Sequence, residues 1–315
     1  MKPVFRYSFA GAPAARRVIS GESLTVEFPD SDGLGPDLHP LPDKRFEHGS
    51  PDRGNPVFGP ILVEGAEPGD ALRVHFLHIS PDRKIARTFL GPDHGFLPDT
   101  MLKDAGPAAS LPEKPRHMYL WELDGRVARV TNPLGDKPVV IPIHPFLGCV
   151  GTASPGDPPL STLLANNHGG NIDHPDLVEG TSLWLPVSLP GGMLYLGDMH
   201  AAQGQGETAG GGLEISGSAT VRIELCKKRH LKTPRYQTPR GVACLAVEKN
   251  METASRAALA GLTHWVSEAG WNIYDANMLI NQTCEFRLGG ITDKFAVVSC
   301  FMAKQNISED LLSWP

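Results

Sequence analysis

A mainly β (α+β) fold, with a large sandwich- or barrel-like body and an α+β C-terminal portion, is what this chain of 315 residues predicts. Three observations predict it. The 34 glycines and 29 prolines punctuate the whole length, which favours many short strands joined by turns over long helices. Several segments alternate apolar and polar residues with a period of two, the pattern of half-buried strands. Only one segment, 251–268, has convincing helical periodicity.

The elements follow in chain order. "SLTVEF" is the first clear strand. The stretch 29–60 is turn-rich and polar, and so long a loop inside a compact domain is usually functional or a lid. In "ALRVHFLHI" (71–79), Leu72, Val74 and Phe76 share one face and Arg73 and His75 the other, which puts His78 on the apolar face as a satisfied core histidine. Strands are expected over 117–123, 126–131 and 139–143, with Asp124-Gly125 marking a hairpin between the first two. "SLWLPVSLPGGMLYLGD" holds two strand candidates around Pro190-Gly191-Gly192, and "ATVRIEL" (219–225) alternates cleanly. In 251–268, Ala254, Ala258, Leu262 and Trp265 form one apolar stripe, Asn250 is a plausible N-cap and Gly270 a plausible terminator. A second helix is expected over 273–282, then a buried strand over 295–303. This divides the chain into a β-rich body (1–245) carrying the candidate site and an α+β portion (246–315) packed on it as one unit.

Composition removes several classes of function. Net charge is −6 and basic residues gather only in "CKKRHLK" (226–232), read as a solvated strand end, so nucleic acid is not an expected partner. No apolar run reaches the roughly 18 residues that a membrane span needs, and the N-terminus lacks the apolar core of a secretory signal. Five cysteines (149, 226, 244, 284 and 300) without a Cys-x-x-Cys pair read as buried thiols in a reducing compartment, hence a cytoplasmic protein.

Two polar, glycine-lined segments carry the chemistry: "NNHGGNIDH" (166–174) and "GDMHAAQGQGE" (197–207). Asn171 and Asp173 are two residues apart, and so are Asp198 and His200; in extended backbone such pairs point to one side. Flanking glycines let backbone approach a ligand closely. Oxygen and imidazole donors together suit Zn²⁺ or a similar divalent ion, and Glu207, seven residues after His200, would serve as a further ligand or a general base. The competing reading is structural: Asp198 and Asn171 cap turns, Asp173 makes an Asx turn and His200 bonds a carbonyl, with His168 and His174 as surface or turn histidines. Three other motifs fail on context. "GQGETA" does not open a helix after a strand, as a dinucleotide loop must. "HGG" has no Gly-x-Ser-x-Gly elbow to accompany it. "HGGNIDHP" lacks the spacing of the kynurenine formamidase metal motif.

The strings "GPILVEGAEPGDALRVHFLHI", "HPFLGCVGTAS", "HGGNID", "GTSLWLPVSLPGGMLYLGDMHAAQGQGE" and "SGSATVRIEL", in this order from about residue 55 onward, resemble the acetamidase/formamidase family. The resemblance implies a mainly β fold, hydrolysis of short linear amides to carboxylate and ammonia, homo-oligomers, and a divalent metal, zinc first with calcium as the alternative. Carried over by motif, it implies Asp173, Asp198 and His200 as metal ligands and Glu207 as base or fourth ligand. It makes Asn171 and Gln203 hydrogen-bond donors to the substrate carbonyl or its oxyanion. His144 and Cys149 depart from the expected pattern, as does the segment around "GSPDRGNPVFGP", and these departures leave the substrate open. The alternatives are a hydrolase of small cyclic amides such as γ-lactams, and a metal- or small-molecule-binding protein without turnover.

Overall fold

The computed structural model describes residues 5–42, 46–47, 54–92, 94–104, 114–156 and 159–307. Three sheets organise them. The first has eight strands, with Gly169–Asn171, Phe146–Thr152, Leu194–His200 and Val57–Val63 as consecutive neighbours. The second is a four-stranded meander ordered Val140–Pro142, Val127–Val130, His117–Asp124 and Ile85–Leu90. The third has eight strands and runs from Cys284–Leu288 through Ala296–Ala303, Gly241–Glu248, Arg235–Thr238, Ser182–Pro186, Ala71–Pro81 and Gly217–Cys226 to Glu22–Phe28. The first and third sheets face each other across one apolar core. Leu72, Val74, Phe76 and Leu245 enter it from one side and Leu147, Val150, Leu194 and Leu196 from the other.

The alternating patterns become strands, and the expected hairpin forms, with Asp124 paired to Val127 across a two-residue turn. The two strand candidates around Pro190-Gly191-Gly192 both exist, but in different sheets: Ser182–Pro186 lies in the third and Leu194–His200 in the first. The chain crosses the core between them. His78 is a correction. It is exposed and bonded to Glu179 (Nδ1 to Oε2, 2.9 Å) instead of lying in the core. The register opposite Gly217–Cys226 slips between Thr220–His78 and Val221–Phe76, so Leu77 is an extra residue without a partner. Such a bulge moves the side-chain alternation by one position and turns Ile79 inward in place of His78.

Met251–Glu268 is helical as its apolar stripe requires, and Ile273–Thr283 follows as the second helix. The Asn250 side chain accepts from Thr253 N at 2.9 Å, and Gly270, at φ 95°, ends the helix where a side chain would be strained. The helices cover the outer face of the third sheet. Val242, Cys244 and Ala246 point at Ala258, Leu262 and Trp265, while Ala243, Leu245 and Val247 point into the main core. Of the five cysteines, Cys149, Cys244 and Cys300 are fully buried and Cys226 and Cys284 only partly. No helix among the described residues is long and apolar enough to cross a membrane. Asn250→Ala removes the cap of the longest helix and is expected to lower stability by about 1 kcal/mol, read as a drop in the urea midpoint with unchanged slope.

Candidate active site

The two polar segments are strands and strand ends more than loops. Gly169–Asn171 pairs with Phe146–Thr152, Cys149 lying opposite Asn171, and Leu194–His200 pairs with the other edge of that same strand. Phe146–Thr152 is therefore the spacer that brings Asp173 and His200 together. Its pairing with Leu194–His200 matches Leu147 to Met199 and Cys149 to Gly197, which leaves Gly148 facing Asp198. A Cβ at Gly148 would stand 2.3 Å from Asp173 Oδ1 and 2.7 Å from Asp198 Oδ2, so glycine here makes the room in which the two carboxylates converge. Asp173, Asp198 and Glu207 all have positive φ (44°, 61° and 49°), a strained conformation for a non-glycine residue that the surrounding structure must hold in place.

One ligand atom each from Asp173, Asp198 and His200 lie within 4.8 Å of one another. All three residues are buried, at 1%, 1% and 2% exposure. Both oxygens of Asp173 and Oδ1 of Asp198 are buried without a hydrogen-bond partner in the protein. Burial pushes the Asp173 carboxyl well above its ordinary range, and Glu207 and Asp198 add repulsion. Burial also raises Asp198, against the pull of His200. The His200 imidazole is pushed up despite its burial, because Glu214 and Asp198 flank Nε2 at 3.1 and 3.5 Å. This donor set fits a divalent cation: buried carboxylate oxygens lacking partners, an imidazole nitrogen aimed among them, and a glycine-made gap beside them.

The other predicted residues surround this group. Asn171 accepts from Asn55 Nδ2 and Cys149 Sγ (both 2.9 Å) and donates to Asp293 Oδ2 (3.1 Å). Gln203 accepts from His200 Nδ1 (2.7 Å) and donates to the Asp173 carbonyl (2.7 Å). Glu207 forms a second group with His200 and Glu214, again within 4.8 Å. Burial, with Glu214, Asp198 and Asp293 adding repulsion against the pull of His200, raises its carboxyl to about 8.

Three residues at the site were not anticipated: Asn55, Glu214 and Asp293. Asn55 Nδ2 donates to Asp198 Oδ2 at 2.8 Å. Asn55 belongs to the long 29–60 stretch, in which Val57–Val63 is already strand and positions 43–45 and 48–53 lie outside the described residues. Glu214 arrives through a hairpin, since Ala201 N donates to Leu213 O, Leu213 N donates to Ala202 O and Glu214 bridges to His200. The glycine-rich turn between "GDMHAA" and "GGGLE" is the signal that such a return predicts.

His168 and His174 sit at turns, the latter closed by Leu177 N on His174 O, so of the surface-or-turn expectation the turn holds and the surface does not. They are 3% and 0% exposed. His174 Nε2 bonds Ser299 Oγ at 2.9 Å, and neither ring belongs to a ligand group. His144 lines the wall of a neighbouring cavity, and Cys149 is buried with Sγ 3.6 Å from Asp198 Oδ2.

A cavity of about 430 Å³ opens onto the group, walled by Asn55, Arg87, Phe89, Asn171, Glu214 and Asp293. A larger one, about 770 Å³, reaches the 201–213 hairpin from the other side, past Trp121, Ile141 and Gln203; Glu207 borders both. The smaller contains the converging ligand atoms and is the one placed for chemistry.

Residues 156–308 match the family model described as the acetamidase/formamidase family. The formamidase of Methylophilus methylotrophus is 27% identical over 223 residues, covering 57% of this chain and 54% of its own length. The acetamidase of Mycolicibacterium smegmatis is 27% identical over 219 residues, covering 54% and 53%. This chain thus spans about half the length of these curated relatives. The crystal structure of an acetamidase from Yersinia enterocolitica superposes with a TM-score of 0.80 at 27% identity, covering 97% of this chain and 90% of that one. Sheet architecture and sequence agree in this likeness: residues 156–308 match the family model, and the fold superposes on that of an acetamidase.

Two predictions follow from this geometry. Gly148→Ala places a methyl group between the carboxylates, so a rise in melting temperature on adding Zn²⁺ to the wild-type protein is expected to be lost in the variant. The second concerns acid. Burial lowers His168 to about 3 and His174 to about 4, from an ordinary 6.5, so both rings are neutral in the fold. The unfolded chain binds more protons in that window, so this stability is complete above pH 6.5 and is lost as pH falls toward 4 and 3. Wild-type protein is expected to lose stability relative to His168→Asn on acidification, by up to about 1.4 kcal/mol per pH unit; parallel stability curves would refute this.

Proposed function

We propose that this protein hydrolyses the C–N bond of a small linear amide, of the formamide or acetamide type, to a carboxylate and ammonia. In this reading Asp173, Asp198 and His200 hold a divalent cation, zinc first and calcium as the alternative. The observation that carries it is the convergence of unpartnered, buried carboxylate oxygens with an imidazole nitrogen beside a cavity of small-molecule size. The match to the family model supports the same chemistry. A bound divalent ion would supply polarisation of a carbonyl and a lowered pKa for a water molecule at the site.

The chain's own residues divide the remaining tasks. Glu207 faces the cavity; its carboxyl is raised to about 8 by burial and the neighbouring acids, and a bound cation would favour its ionised form, which could take a proton from attacking water and return it to the departing amine. Asn171 is held at the wall by Asn55, Cys149 and Asp293, and the second hydrogen of Nδ2 can meet the substrate carbonyl. Asn55 fixes one oxygen of Asp198 and leaves the other for the cation.

The test is metal analysis of the purified protein together with ammonia release from formamide, acetamide and a γ-lactam, with and without added Zn²⁺. Turnover of the linear amides is expected, and Glu207→Gln is expected to lower kcat by about 100-fold or more while the ion is retained. Ion binding without ammonia from any substrate would leave a binding protein. Preference for the lactam would move the substrate class. Full turnover by the Glu207 variant would remove that residue from proton transfer.

A further inference from the structure

We propose that Gln203 is a positioning residue: its side-chain amide clamps the His200 ring and the Asp173 backbone together, so that one residue sets both the tautomer of the imidazole and the spacing of the two ligand-bearing segments. This rests on the reading of the site as a cation-binding amidase centre, and it replaces a role for Gln203 as a donor to substrate.

The orientation of the amide follows from its partners. The Asp173 carbonyl can only accept, so the atom 2.7 Å from it is the amide nitrogen of Gln203. The amide oxygen is then the atom 2.7 Å from His200 Nδ1. An amide oxygen can only accept, so Nδ1 carries the hydrogen. In the neutral ring the remaining lone pair belongs to Nε2, the atom that faces Asp198 and Glu214 at 3.5 and 3.1 Å. A flipped amide would set oxygen against oxygen at Asp173, a contact that repels whichever tautomer His200 adopts. Because Nε2 has a single lone pair, the two ligand groups that share His200 are alternative corners of one cation site, not two sites.

The clamp also closes a long loop in sequence. Gln203 stands three residues after His200 and thirty after Asp173. The Asp173 turn is already held on its other side, where Ile172 N and Asp173 N both donate to Gly148 O (3.0 and 3.1 Å). With φ at 44°, Asp173 needs its backbone fixed from both ends, and Gln203 supplies the second tie. Gly212 leaves space for the ring, since a Cβ there would stand 2.6 Å from Nδ1. Finally, Gln203 lies on the wall of the larger cavity and not of the one that holds the converging ligand atoms, which places it behind the imidazole and away from a substrate carbonyl.

The experiment compares wild-type protein with Gln203→Met, which keeps the length and removes both hydrogen bonds, and with Gln203→Glu, which keeps the acceptor for Nδ1 and loses the donor for Asp173. Zn²⁺ affinity is read by competition with a chromophoric chelator. The His200 Nδ1–H resonance is read by NMR on ¹⁵N-histidine-labelled, ion-free protein. Gln203→Met is expected to weaken Zn²⁺ binding by about 10- to 100-fold and to shift the downfield Nδ1–H signal upfield. Gln203→Glu is expected to keep the signal and lose part of the affinity. A Gln203→Met protein with unchanged Zn²⁺ affinity but a lower kcat on acetamide at saturating Zn²⁺ would overturn the proposal in favour of a substrate donor. An unchanged Nδ1–H signal in that variant would overturn it as well. If the wild type binds no Zn²⁺, the cation reading fails, and the resonance still decides whether the clamp exists.

Discussion

Confining several buried carboxylates around one imidazole is the constraint on which the rest of this structure depends. An ionised carboxylate away from solvent is costly unless an opposite charge or hydrogen-bond donors compensate it. Here Asp173 accepts no hydrogen bond on either oxygen, and Asp198 has donors on one oxygen only. The single imidazole among them is already flanked by two acids. As protein alone the site answers that cost by raising the carboxyls of Asp173, Asp198 and Glu207, which favours their neutral forms; the same oxygens form a group that could hold a cation in place of those protons.

The fold tolerates this because the surrounding sheets are rigid and apolar. Leu194–His200 is buried at every position, with Leu194 and Leu196 anchored in the main core before the chain reaches Asp198. On the far side of the site, His174, Ser299, Tyr236 and Asp176 form a continuous hydrogen-bonded chain, closed by Arg287 Nη1 on Asp176 Oδ2 at 2.6 Å. Buried polar groups that are fully paired in this way resist rearrangement. The strained dihedrals of the three acids are thus held by packing on one side and by a polar network on the other.

Much of the architecture was legible in residue order. The long helix announced itself through its stripe, its asparagine cap and its terminal glycine, all of them local signals, and the alternating strands did the same. What was not legible arises from pairing at a distance. An extra residue at Leu77 leaves no trace in composition, so the facing of His78 could not be read. The separation of Ser182–Pro186 from Leu194–His200 into opposite sheets looks in sequence like a hairpin. The proximity of Asp173 to His200 was suggested by family motifs, since spacing within each string says nothing about a third strand lying between them. Asn55, Glu214 and Asp293 were missed for the same reason: each reaches the site through a partner far along the chain or across a turn.

The Gly241–Glu248 strand has no side left for solvent, since its odd and even positions face two different apolar layers. The helices beyond it therefore act as a cover as well as a decoration of the sheet. A chain cut just before Met251 would lose, with the helices, the Ala296–Ala303 strand that pairs along Gly241–Glu248, and would present both a bare stripe of valine, cysteine and alanine and an unpaired strand edge to its neighbours. Contiguous apolar surface of that kind drives self-association, so the shortened protein would be lost to clumping even though every residue lining the smaller cavity except Thr292 and Asp293 would still be encoded.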